Sequence, residues 1–115
     1  MTVFWTDNQV VGETAATLLT VKGVTEFQII LKNSGVNTMN YRFQQYVSGA
    51  WEDLGESGSD YYNTLSADQV RQIHVEAESS QIQIVGNASG GAFLEFSAST
   101  EVDRPSNGSF TILPI

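Results

Sequence analysis

Apolar and polar residues alternate with a period of two along most of the chain. Over residues 25–32 (TEFQIILK), Phe27, Ile29 and Leu31 fall on one side of an extended backbone, with Glu26, Gln28, Ile30 and Lys32 on the other. Over 38–47 (TMNYRFQQYV), Met39, Tyr41 and Phe43 alternate with Asn40, Arg42 and Gln44. Successive side chains of an extended chain point to opposite sides, so this period predicts strands with one dry and one wet face. Asn33-Ser34-Gly35 follows the first strand as a turn signal. Ser48-Gly49 turns the second into Trp51, which reads as a β-hairpin.

The remaining segments follow the same logic. Residues 81–85 (QIQIV) predict a strand with Ile82 and Ile84 inward, and 92–99 (AFLEFSAS) one with Leu94 and Phe96 on a common face. Between them, Asn87–Gly91 (NASGG) makes a turn. Residues 70–77 (VRQIHVEA) set Arg71, Ile73, Val75 and Ala77 opposite Val70, Gln72, His74 and Glu76. Ser66 and Asp68 would cap a short helix there, but the density of β-branched residues favours a strand. Residues 13–22 (ETAATLLTVK) are ambiguous, and their Thr and Val content with Gly23 after them tips the reading to a strand. Residues 52–63 (EDLGESGSDYYN) read as a long acidic loop. No long segment of helical period exists to make crossover helices. The expected fold is therefore all-β, a single-domain β-sandwich, Ig-like or jelly-roll-like, with short strands and Gly/Ser/Asn turns.

The two ends differ from the middle. Residues 1–12 read as an N-terminal arm, 13–100 as the sandwich, and 101–115 as a polar linker with an apolar tail (FTILPI). Pro114 has no backbone donor, so the tail suits a sheet edge. It is expected either to fold back on its own sheet or to dock on a neighbouring copy by strand addition. The candidate partner-binding residues are Phe4, Trp5, Phe110, Ile112, Leu113 and Ile115.

Length and charge narrow the function. A chain of 115 residues is the size of one domain. Thirteen acids against five Lys and Arg give a net charge of −8, which repels nucleic-acid phosphates and anionic membranes. The N-terminal segment has neither the basic nor the apolar region of a signal peptide, and no apolar run reaches membrane-spanning length.

Candidate chemistry is sparse. Without cysteine there is no thiol nucleophile, zinc ribbon or redox pair. The single histidine, His74, has no GxSxG elbow to serve and reads as a solvent-facing strand residue rather than a general base. No glycine motif cradles phosphate. Acids at 52–60 have the oxygens that calcium takes but not the spacing of an EF-hand loop. The chain is expected not to be an enzyme and to need no cofactor. Trp5 and Trp51 with Tyr61 or Tyr62 offer flat surfaces for sugar rings, Trp51 and Tyr61 or Tyr62 above all, as in a carbohydrate-binding or host-adhesion module. The alternative is that Trp51 closes an open end of the sandwich. Tyr61 and Tyr62 are neighbours and would face opposite sides of a strand, so only one can join a platform.

One phrase carries a resemblance. Residues 27–54, FQIILKNSGVNTMNYRFQQYVSGAWEDL, hold Leu31, Lys32, Asn33, Ser34, Gly35, Asn37, Thr38, Asn40 and Tyr41, then Gly49, Trp51 and Leu54. This resembles an LKN-SG-x-NT-x-NY turn followed by G-x-W-x-x-L in small virion proteins of tailed bacteriophages, of the capsid decoration (cement) type. The resemblance covers the middle of the chain and implies a sandwich that assembles on the outer capsid, commonly as a homotrimer. Its implied partners are the major capsid protein and copies of itself, with assembly in the bacterial cytoplasm and residence in the virion. It carries no catalytic residues, and it does not separate a capsid position from a neck or tail position.

Overall fold

Each alternating segment forms a strand, and most consecutive strands change sheet. The computed structural model describes residues 3–100 and 111–114, with side chains over 9–97. Among these residues there are ten strands and no helix: β1 (Val3–Val11), β2 (Ala16–Lys22), β3 (Glu26–Asn33), β4 (Met39–Val47), β5 (Ala50–Asp53), β6 (Tyr62–Leu65), β7 (Val70–Glu76), β8 (Gln81–Asn87), β9 (Ala92–Thr100) and β10 (Thr111–Pro114). One sheet has the order β10-β1-β9-β3-β7, the other β2-β8-β4-β5, with β6 also paired to β4. All pairings are antiparallel.

The fold is a β-sandwich. Of the two variants expected from the sequence, the strand order is that of a jelly roll. β1, β3, β7 and β9 lie in one sheet while β2, β4 and β8 interleave with them in the other. Residues 3–11 of the segment read as an N-terminal arm are a strand of the first sheet, paired to β9 on one side and β10 on the other.

The core forms where the two inward faces meet. Burial along β3 alternates strictly, with Phe27, Ile29, Leu31 and Asn33 inside. Met39, Tyr41 and Phe43 of β4, Ile73 and Val75 of β7, Ile82 and Ile84 of β8, and Leu94 and Phe96 of β9 complete it. β2 departs from simple alternation. A register shift between Thr17 and Leu19 turns both Leu18 and Leu19 into the core. Arg71 shares the inward parity of β7 with Ile73. It reaches the sandwich end, where Nη1 donates to the Tyr41 hydroxyl at 3.0 Å and to the Thr64 carbonyl at 2.9 Å. The Tyr41 hydroxyl in turn donates to the Asp60 carbonyl at 2.6 Å. Burial raises the Tyr41 pKa above its ordinary value, with Arg71 opposing, so the phenol stays neutral.

The turns expected at Asn33-Ser34-Gly35 and after Asn87 are present, and each carries the chain from one sheet to the other. One expectation is corrected. The long loop expected over 52–63 is shorter, because the acids Glu52 and Asp53 lie in β5 and Tyr62 begins β6. The strand favoured over a short helix for 70–77 forms as β7, and Ser66 and Asp68 lie in the turn before it, in which Gln69 N–H donates to the Ser66 carbonyl at 3.0 Å. The expected hairpin at Ser48-Gly49 does form, with Val47 paired to Ala50. Both turn residues have positive φ (53° and 84°), the geometry that joins twisted strands most tightly.

The crossover after β3 is held by one buried amide. The Asn33 side chain is fully buried; Nδ2 donates to the Asn37 carbonyl at 2.7 Å and the Leu65 carbonyl at 2.9 Å. Its Oδ1 accepts from Gly35 N–H at 3.0 Å. Asn37 donates onward to the Gly91 carbonyl at 2.9 Å, tying the crossover to the turn before β9. A Cβ at Gly35 would lie 2.8 Å from the backbone nitrogen of Phe93, so only glycine fits. Asn33→Ala strips partners from two carbonyls and one N–H in the interior, and is expected to cost about 2–4 kcal/mol. Urea denaturation of the variant checks this, with Asn40→Ala, an exposed position on β4, as a control expected to change little.

Candidate functional site

The core parity of β4 determines what its other face presents. With Tyr41 and Phe43 inward, Arg42, Gln44 and Tyr46 point outward from the second sheet. Tyr46 is paired across the hairpin with Trp51, their rings 5.2 Å apart in an edge-on arrangement. Both are exposed, at 38% and 37%. Beneath the hairpin, the buried Gln45 donates to Glu52 at 2.9 Å and accepts the N–H groups of Glu78 and Ser79 at 2.9 and 3.2 Å. The hairpin is therefore anchored from its inner side while its aromatic side stays free.

A polar ladder crosses the same face. Thr17 Oγ1 donates to Gln83 at 3.0 Å, Gln83 to Gln44 at 2.7 Å, and Gln44 to Asp53 at 2.9 Å. Arg42 stands 3.7 Å from the Asp53 carboxylate, with its guanidinium 5.8 Å from the centre of the Tyr62 ring. Each ladder member uses its neighbour as a partner, so the side chains hold fixed positions without burying a charge.

Trp51 does not close an end of the sandwich. That position belongs to Tyr61, whose ring packs 5.8 Å from Phe43 and whose hydroxyl donates to the His74 carbonyl at 2.9 Å and accepts the Glu76 N–H at 3.0 Å. Tyr61 and Tyr62 therefore do face different ways, and Tyr62 is the one on the outer face. The acids of the 52–60 segment are dispersed: Glu52 and Asp53 answer Gln45 and Gln44, and Glu56 and Asp60 are exposed.

The outer face of the first sheet carries a different group. His74 Nε2 lies 2.9 Å from Glu26 and 3.3 Å from Glu76. Glu26 and Glu76 are direct cross-strand partners, an arrangement in which like charges repel. A protonated imidazole between them relieves that repulsion, and the three donor atoms lie within 4.8 Å of one another. Sequence reasoning placed His74 correctly on the wet face of its strand. Glu76 shares that face two residues on, whereas Glu26 was hidden because it is distant in sequence and arrives only through the β3–β7 register.

Of the residues predicted to contact partners, the backbones of Phe4 and Trp5 lie in β1, opposite Leu113 and Ile112 of β10. β10 is an edge strand of its sheet, as Pro114 suggested. Phe110 and Ile115 lie outside the described residues.

No known protein family matches the chain, and no curated protein does. Among solved structures it is similar to the crystal structure of PirA, at 10% identity and a TM-score of 0.55, over 82% of this chain and 92% of that one. At that identity the likeness concerns the fold.

The His74 group gives a pH prediction. The hydrogen bond to Glu26, and then the charges of Glu26 and Glu76, raise the His74 pKa above 6.5. A raised folded-state pKa contributes stability below the unfolded value, and that contribution fades as pH rises through the folded value. Wild-type protein is therefore expected to exceed His74→Gln in Tm by more at about pH 5.5 than at about pH 8.5. NMR titration of the imidazole provides the direct check, and a midpoint at or below 6.5 contradicts the account.

Proposed function

We propose that the chain is an accessory structural protein of a bacteriophage virion, a capsid decoration protein that binds the outer capsid surface by its second sheet. The observation that carries this reading is the composition of that face. Trp51 and Tyr46 stand together at its hairpin end, and Trp and Tyr are among the residue types that dominate the energetics of protein interfaces. The strand order adds support by analogy, since jelly rolls recur in viral capsid and lectin domains. The resemblance over residues 27–54 points to the same class.

On this reading the protein works by shape and surface chemistry. The hairpin that carries Tyr46 and Trp51 supplies a rigid aromatic anchor, because its turn and the Gln45 clamp fix it before binding. The Gln44–Gln83–Asp53 ladder supplies a polar rim. The backbone edge at β1 and β10 is the candidate contact between copies, through which a homotrimer would close. The negative charge keeps the protein off packaged nucleic acid and membranes.

Trp51→Ala tests the reading. Because Trp51 is exposed, the variant is expected to keep its Tm within about 3 °C of wild type. Its affinity for capsids stripped of the protein is expected to fall by about 30-fold or more, as for an interface anchor. Co-sedimentation with capsids measures this. Unchanged capsid binding by Trp51→Ala, or no binding by the wild type, would refute the proposal.

A further inference from the structure

A groove opens on the same outer face at the far end of β4 from the aromatic hairpin. From Arg42 to Tyr46 the strand covers about 13 Å, which separates the two features. The groove has a volume of about 310 Å³, and its lining includes Ala15, Asn40, Arg42, Tyr62, Val85 and Asn87. Its floor is the β4–β8 ladder, where Asn40 pairs with Asn87 and Arg42 with Val85. Tyr62, opposite Arg42 on β6, forms one wall, and Ala15, just before β2, lies on the other side.

We propose that this groove is a binding site for a neutral saccharide. Three polar heads border it with little else to bond. Among the described residues, neither the Asn40 amide nor the Tyr62 hydroxyl hydrogen-bonds another protein group, and Arg42 has the 3.7 Å approach of Asp53 and its place 5.8 Å from the centre of the Tyr62 ring. An amide and a phenol each donate and accept, which matches hydroxyl groups that do the same. The Tyr62 ring and the Val85 side chain offer apolar surface to the C–H face of a sugar ring. Apolar surface with a few convergent polar groups is the usual make-up of a small-molecule site, and the volume suits one or two sugar units.

Charge selects a neutral ligand. Asp53 offsets the single guanidinium at the site, and a net charge of −8 disfavours anions. The site uses Tyr62, not the Trp51 and Tyr61 surfaces considered from sequence, because Tyr61 is committed to the sandwich end. The inference stands apart from the capsid contact, which uses the hairpin.

Heteronuclear NMR titration of the full chain with D-galactose, D-mannose, N-acetyl-D-glucosamine and N-acetylneuraminic acid tests it. At least one of the three neutral sugars is expected to shift the amides of Asn40, Arg42, Tyr62, Val85 and Asn87, with a Kd on the order of 1 mM. Tyr62→Ala should weaken binding at least about tenfold. So should Ala15→Trp, which narrows the groove from an exposed position without touching the core. Trp51→Ala should leave the Kd unchanged, and Ala15→Trp should leave capsid binding unchanged, so the two sites fail separately. The proposal is overturned if no neutral sugar moves those amides or if only N-acetylneuraminic acid does. It is equally overturned if folded Ala15→Trp binds as wild type, or if Trp51→Ala abolishes the sugar shifts.

Discussion

The buried amide of Asn33 is the constraint on which the arrangement of the sheets depends. A β-sandwich of this order must pass the chain between layers, and each passage strips backbone groups of their ladder partners. At the β3–β4 crossover one side chain answers three of those groups, on Gly35, Asn37 and Leu65. Gly35 allows the crossover to lie against the start of β9 without a steric clash. With the crossover fixed, β4 enters the second sheet with Met39, Tyr41 and Phe43 inward, and its outward residues follow by parity.

That parity links the fold to the surface. Had β4 shifted by one residue, Arg42, Gln44 and Tyr46 would face the core and the outer face would carry Tyr41 and Phe43 instead. The inward residues are thus the reason that a guanidinium, an amide and a tyrosine stand in a row on the outside. The Ser48-Gly49 turn then folds Trp51 back beside Tyr46, and β8 brings Gln83 and Val85 alongside. The result is one sheet face with an aromatic end and a grooved end, held from beneath by a packed core.

Strand positions and faces were legible in the sequence because they depend on local alternation. Residues 25–32, 38–47 and 81–85 became strands with the predicted residues inside, and 70–76 a strand with Ile73 and Val75 inside. Partnership between strands was not legible, since it depends on which segments meet across the sandwich. The Asn-Ser-Gly and NASGG segments were legible as turns, but not that each carries the chain between sheets. Trp51 was hard to place because a large aromatic serves equally as a core plug or a surface anchor, and only the β4–β5 register decides. The phrase that suggested virion proteins lies largely on structural residues. Asn33, Gly35 and Asn37 build the crossover, so that part of the phrase marks an architecture, while Asn40 and Trp51 lie on the outer face of the second sheet. The groove could not be foreseen, because Ala15, Arg42, Tyr62 and Val85 come from four separate segments.

The central claim is that the outer face of the second sheet is the working surface. An electron-microscopic map of capsids saturated with the protein tests this most directly. The account predicts sandwich density on the outer shell with the hairpin of Tyr46 and Trp51 turned against the capsid. Density that leaves this hairpin facing solvent, with the first sheet against the shell, would contradict it.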